Sequence, residues 1–243
     1  MVEVSSPALQ AESLRKVYGR TVALEGLDLT VSSGEIVCLL GANGAGKSTT
    51  ISLFLGLTAP TQGRALIQGI DSSKNRLSAT RHLAYIPEQV ALYPQLTGLE
   101  NLQTFVRLSG RDQSRSDLLA KLLAAGLDEE SAHHRTRTYS KGMRQKVGIA
   151  IALARNVDAL LLDEPMSGLD PSAANAFGQK LTMLKQQGRA ILMVTHDIFR
   201  AKIISDRIGI MRNGRLLDIF PTREVEAADL EQIYLSHMAE GAS

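Results

Sequence analysis

The chain has 243 residues, 44% of them hydrophobic, enough to bury the core of one large domain or of two small lobes. A formal charge of +2 gives it no global attraction for nucleic acid or an anionic membrane surface. Its apolar runs are of strand length, far short of the ~18–20 residues a membrane-spanning helix needs, and MVEVSSPALQ lacks the basic-then-apolar pattern of a secretory signal. Cys38, the single cysteine, excludes an internal disulfide, fits a reducing cytosol and reads as a buried, inert thiol.

Residues 8–31 predict two or three strands. Leu27, Leu29 and Val31 alternate with Asp28 and Thr30, the pattern of a half-exposed antiparallel strand. Tyr18, in the turn Val17-Tyr18-Gly19-Arg20, reads either as ordinary packing or as a ring face offered to a flat base. Ile36 to Leu40 is unbroken apolar, as in a strand buried on both faces of a parallel sheet. It ends at Gly41-Ala42-Asn43-Gly44-Ala45-Gly46-Lys47-Ser48-Thr49, after which helical spacing begins at Ile51, Phe54 and Leu55. Strand, glycine-rich G-x-x-x-x-G-K-S turn and helix start form the setting in which this motif binds phosphate. The glycines let successive N–H groups converge, and the new helix adds its unpaired N–H groups and positive dipole end. Lys47 can reach the β- and γ-phosphates, and the Ser48 hydroxyl can ligate Mg²⁺. A nucleoside triphosphate is therefore the expected ligand.

Ala65 to Ile67 reads as a short strand, and Leu83 to Ile86 as another running into Pro87-Glu88-Gln89. A polar pair straight after a buried strand sits at the sheet's carboxyl edge, where open α/β sheets bind ligands. From residue 97 the texture is helical: Thr97 to Glu100 is a capping box opening a helix with Leu102, Phe105 and Leu108, and Leu118 to Ala125 is a second helix closed by Gly126. The basic stretch at residues 133–137 is most simply a solvated connection. Tyr139-Ser140-Lys141-Gly142-Met143 opens a third helix, with Ser140 as N-cap and Gly142 leaving N–H groups uncovered, a second anion-binding helix start.

Ala159 to Asp163 is a further buried strand, ending in Asp163-Glu164-Pro165. Asp163 suits Mg²⁺ through water, and Glu164 is then placed to activate an attacking water. Asp170 caps the next helix with Pro171 at its first position. Ala190 to Val194 ends in Thr195-His196-Asp197, which aims His196 at the same cleft. A hairpin through Asn213-Gly214 and an amphipathic helix from about 224 to 238 finish the chain.

Taken together these stretches resemble, over nearly the whole chain, the ATP-binding subunit of an ABC transporter. GANGAGKST is similar to the family's Walker A loop, YSKGMRQ to its signature loop, LLLDEP to Walker B, SGLD to the D-loop and THD to the switch histidine. The resemblance implies an α/β fold: a P-loop NTPase (RecA-like) parallel-sheet core with an N-terminal antiparallel β subdomain, residues 1–89 and 157–221. An α-helical subdomain would be inserted at 90–156, and a C-terminal helix would fill 222–243. It also implies a head-to-tail dimer with ATP and Mg²⁺ between the Walker A loop of one copy and Ser140 and Gly142 of the other. Tyr18 would stack adenine, Asp163 would hold Mg²⁺ through water, Glu164 would polarise the attacking water, His196 would contact the γ-phosphate, and Asp170 would couple the two sites. A separately encoded integral membrane permease would be driven from the cytoplasmic face of the cell membrane.

Two departures stand out. Glu88 occupies the place of the family's usual glutamine, with Gln89 one place late, and can still ligate Mg²⁺ or water. Lys141 and Met143 replace Gly and Gln of the usual LSGGQ; Lys141 either adds an attraction for phosphate or faces solvent. Both resemble variants in ATPases that serve exporter permeases. The alternatives are a soluble ABC-type ATPase of DNA repair or of ribosomes, and a switch that hydrolyses poorly. Repair members carry a long coiled coil between the Walker motifs, where this chain has only residues 50–158, and ribosomal members carry two ATPase units. Intact Lys47, Asp163, Glu164 and His196 argue against the poor hydrolase.

Overall fold

Apolar–polar alternation builds the first layer. In the computed structural model, which describes residues 7–239, β1 (Leu9–Tyr18) and β2 (Thr21–Val31) form an antiparallel hairpin. Leu27, Leu29 and Val31 are buried while Asp28 and Thr30 are exposed, as a sheet covered on one face requires. Residues 1–6 of the stretch tested for a secretory signal, and residues 240–243 of the expected C-terminal segment, lie outside the described residues.

β3 (Ile36–Leu40) is buried at every position and leads to α1 (Lys47–Phe54). β4 (Gln62–Ile67) and β5 (Ile70–Asp71) return to the hairpin and complete a four-stranded antiparallel sheet in the order β2-β1-β4-β5. α2 (Arg76–Arg81) then reaches β6 (Leu83–Ile86).

The next segment is helical: α3 (Gly98–Leu108), α4 (Arg115–Ala124), α5 (Glu129–His133) and α6 (Lys141–Arg155). The capping box forms, with Thr97 Oγ1 accepting from the Glu100 N–H at 3.2 Å and Glu100 Oε2 from the Thr97 N–H at 2.8 Å. The buried face of α3 is turned relative to the expected one. Leu99, Asn101, Leu102 and Val106 point inward, and Leu108 is 71% exposed. The cause is Asn101, which takes an inward position by accepting from the Tyr93 N–H at 2.8 Å and donating to the Thr97 and Tyr93 carbonyls at 2.9 and 3.1 Å. The basic stretch is also more than a solvated connection. Thr136 is buried and donates to the Tyr93 carbonyl at 2.9 Å, and Arg135 bridges to Thr97.

β7 (Ala159–Asp163), α7 (Pro171–Gln186), β8 (Ala190–Thr195), α8 (Ile198–Ile204), β9 (Arg207–Arg212) and β10 (Arg215–Pro221) follow. The second sheet has the order β10-β9-β3-β8-β7-β6, and only β10 runs antiparallel to its neighbour. The sheet is covered on both sides, so its strands alternate between two cores. Cys38, Leu162 and Met193 face the helical lobe and α7, while Leu39, Leu161 and Leu192 face α1 and the antiparallel sheet. A 3₁₀ turn at Thr222–Glu224 delays the last helix, α9 (Ala227–Ala239).

Asn101→Ala would strand several buried backbone groups at once. The expected loss is about 2–3 kcal/mol of unfolding free energy, read as a lower midpoint in urea denaturation with an unchanged slope.

Candidate functional site

Register decides which side chains meet. Leu40 pairs with Thr195, Val194 with Asp163, and Leu162 with Ile86. Because these strands are parallel, Gly41, Glu164, His196 and Pro87 leave the sheet at one edge.

The Gly41–Ser48 loop wraps over that edge. The Gly41 N–H donates to the Thr195 carbonyl at 3.3 Å, and a Cβ on Gly41 would strike the Met211 carbonyl. Gly46 has φ 104°, and a Cβ there would come within 2.9 Å of the Ala23 carbonyl in β2. The Gly214 N–H donates to the Ala45 carbonyl at 3.0 Å and the Glu25 N–H to the Gly214 carbonyl at 2.7 Å, which wedges the loop between the two sheets. Ala42, Asn43, Gly44 and Ser48 are exposed, and Thr49 is half-buried.

Glycine at the N-cap leaves α1 without a side-chain cap, so its first N–H groups await an outside acceptor. Lys47 is only 7% exposed. Its ammonium donates to the Gly41 carbonyl and, at 3.1 Å, to that of Ala42, with no carboxylate at ion-pair distance among the described residues. Burial pulls its pKa below the ordinary lysine value, opposed by the charges of Glu164 and Asp163. A buried cation inside an uncapped helix start is a cradle for a polyanion.

Opposite stand the acids. Glu164 has φ 45°, a left-handed conformation costly for a non-glycine residue, and this turns its side chain back over the sheet edge. Thr195 Oγ1 donates to Glu164 Oε2 at 2.8 Å, and His196 Nδ1 lies 2.8 Å from Glu164 Oε1. The carboxylate is thus held at both oxygens. Asp163 Oδ2 receives the Tyr85 hydroxyl at 3.5 Å. Burial, then the charge of Glu164, raises the Asp163 carboxyl above the ordinary carboxylate range. A cation at this position would relieve that repulsion, and Ser48 and Asp163 are the oxygen donors suited to Mg²⁺. The Tyr85 hydroxyl is pushed up to about 12, chiefly by burial.

The remaining expected residues divide. Glu88, expected to be able to ligate Mg²⁺ or water, is ion-paired, with Oε1 3.2 Å from Lys141 Nζ. Gln89 lines a surface cavity with Val90, Leu92 and Lys141. Lys141 therefore does not simply face solvent. Ser140 and Asp170 are spent on caps, accepting from Met143 N–H at 3.3 Å and Ala173 N–H at 2.9 Å, and Gly142 lies beside Leu169 and Ala173. None of the three hydrogen-bonds to Lys47, Ser48, Asp163 or Glu164. A Cβ on Gly142 would make only ordinary contacts within the chain, so no neighbour in the chain requires glycine there. Tyr18 is 47% exposed at the hairpin end with Lys16 Nζ 4.8 Å from its ring centre, which is not the packed position one sequence reading allowed. Sequence reasoning passed over Thr195, Tyr85 and Gln145. Thr195 is the residue before a strand-end histidine, and Tyr85 is the one exposed residue of β6, signals legible only once the strand ends are aligned.

The sequence profile described as ABC transporter matches residues 24–167. The linearmycin resistance ATP-binding protein of Bacillus subtilis (strain 168) is 33% identical over 213 residues, 87% of this chain and 68% of that protein. The Nod factor export ATP-binding protein I of Cupriavidus metallidurans is 35% identical over 208 residues, 85% of this chain and 69% of that protein. A solved dimeric ATP-binding cassette, in a post-hydrolysis state bound to ADP and Pi, superposes with a TM-score of 0.78 at 29% identity, covering 88% of this chain and 99% of that one.

Cys38 lies beneath this site, fully buried, and burial followed by the Glu164 charge pushes its thiol far above the ordinary range. With the thiol protonated throughout the working range, the native chain should give no thiol-reagent colour between pH 7 and about 9, and one equivalent after unfolding in guanidinium.

Proposed function

The chain belongs to the ABC transporter family of ATP-binding proteins, and from that premise we propose how its residues divide the work of an ATP-hydrolysing transport subunit. The observation that carries the proposal is the pairing, across one sheet edge, of the uncapped Lys47 loop with a Glu164 carboxylate fixed by Thr195 and His196.

Lys47 and the N–H groups of residues 43–49 hold the phosphates, with Lys47 leaving the Gly41 and Ala42 carbonyls for them. Ser48 and Asp163 would hold Mg²⁺, which would neutralise charge on the phosphates. Glu164 orients and deprotonates the attacking water. Thr195 and His196 keep its carboxylate aimed, and His196 retains Nε2 for the γ-phosphate. The left-handed turn at Glu164 provides this preorganisation before any ligand arrives. Tyr18 offers a half-exposed ring for the adenine to stack on.

Ser140, Gly142 and Asp170 act across a head-to-tail dimer. Their separation from the Lys47 cluster within one chain, and the space around Gly142, support an acceptor supplied by a second copy. Residues 1–89 and 157–221 act as the nucleotide-binding core, 90–156 as the lobe that presents the signature loop, and 222–243 as the closing segment. Among the described residues no helix is long and apolar enough to cross a membrane. Transport is exerted on a separate exporter permease at the inner face of the cell membrane. Its dock is the cleft of about 810 Å³ between α2, α3 and α6, rimmed by Leu77 and Leu108, which are 82% and 71% exposed.

Glu164→Gln should lower ATP turnover by about a hundredfold or more while ATP binding persists. Lys47→Ala should instead raise the dissociation constant in a nucleotide titration. Turnover by Glu164→Gln at the parent rate would remove Glu164 from the base role. A pull-down from native membranes with Glu164→Gln and ATP should recover a polytopic membrane protein; ribosomes or DNA in its place would end the transport reading. Leu77→Asp with Leu108→Asp should abolish that recovery and spare ATP binding.

A further inference from the structure

α6 grips the segment that leaves β6 at two points on one face, four residues apart. Gln145, fully buried, donates through Nε2 to the carbonyls of Pro87 at 3.4 Å and Glu88 at 3.2 Å, and its Oε1 has no partner. One turn earlier, Lys141 Nζ pairs with Glu88 Oε1 at 3.2 Å. The two grips differ in kind. The Gln145 contact is neutral and dry, and it fixes the backbone. The ion pair joins side chains 27% and 47% exposed, so water competes with it and it exchanges at little cost. The Lys141 ammonium is also 3.9 Å from where a Cβ on Gly168 would stand, between the segment after β6 and the one after β7. It lies on the first turn of α6, where the helix already favours an anion.

We propose that Lys141 is a phosphate-binding residue of the composite ATP site, held in reserve by Glu88. In the separated chain its ammonium neutralises Glu88. On closure onto a second copy it gives up Glu88 for the terminal phosphate held by that copy's Lys47 loop. The inference rests on the reading of the chain as an ATP-closed dimer. The exchange runs forward because a terminal phosphate carries more negative charge than one carboxylate, and closure removes the water that weakens the new contact. A diphosphate lacks that group, so after hydrolysis the ammonium returns to Glu88 and opening is favoured. Glu88 is thus a competitor for Lys141.

Charge exchange between the two positions separates this role from a structural one. In the Glu164→Gln background, the ATP concentration that half-assembles the dimer is measured by sedimentation velocity. Melting temperature is followed in parallel for Lys141→Glu, Glu88→Lys and the double exchange. The double exchange should regain the parent melting temperature, because the ion pair re-forms, yet fail to dimerise, because a carboxylate at position 141 would face phosphate. Glu88→Gln, which releases Lys141, should dimerise at about two- to fivefold less ATP. A double exchange that dimerises like its parent, or a Glu88→Gln form needing more ATP, overturns the proposal. A parent that binds no ATP, or does not dimerise with it, overturns the underlying reading as well.

Discussion

The parallel pairing of β3 with β8, and of β8 with β7, is the contact on which the rest of the molecule depends. It sets Leu40 beside Thr195 and Val194 beside Asp163, and so fixes the spacing of everything that leaves the sheet. Side chains alternate along a strand, so a slip of one residue in either pairing would turn Asp163 or Thr195 to the other face. Burial prevents the slip. Leu160, Leu162 and Met193 belong to one core and Leu161 and Leu192 to the other, so any shifted register forces a whole strand into mismatched packing on both sides.

That rigidity is what permits an uncomfortable site. A lysine almost sealed from water, two adjacent carboxylates and a left-handed glutamate each oppose folding when taken alone. They are held by hydrogen bonds to the Thr195 hydroxyl, the His196 ring and two loop carbonyls. The site takes its orientation from the strand ends and from the loop carbonyls together.

Much of this is legible in the sequence, because the governing signals are local. The buried runs, the Thr97 capping box, the Asp170-Pro171 helix start and the glycine-rich turn are decided within a few residues. Short elements escape such a reading: α2 and α8 span too few residues for an apolar period to register, and the exposed Phe199 and Ile203 of α8 break the pattern further. The face of α3 departs from its apolar spacing because Asn101 is polar yet buried, which only its partners explain. Contacts between distant segments are invisible for the same reason. Nothing near Tyr85 in the chain announces Asp163, and nothing near Glu88 announces Lys141.

The wedge around Ala45 and Gly46 bears on how the protein is made. The loop rests on Ala23, is hydrogen-bonded to Gly214, and Gly214 is in turn bonded to Glu25. During synthesis the phosphate loop leaves the ribosome before its last brace, Gly214, which follows only after the helical lobe and β7 to β9. Closing so long a span is slow. A nascent chain therefore carries the nucleotide motif without the finished cradle until β9 and the turn after it have emerged. The cradle is finished only with the β9–β10 turn.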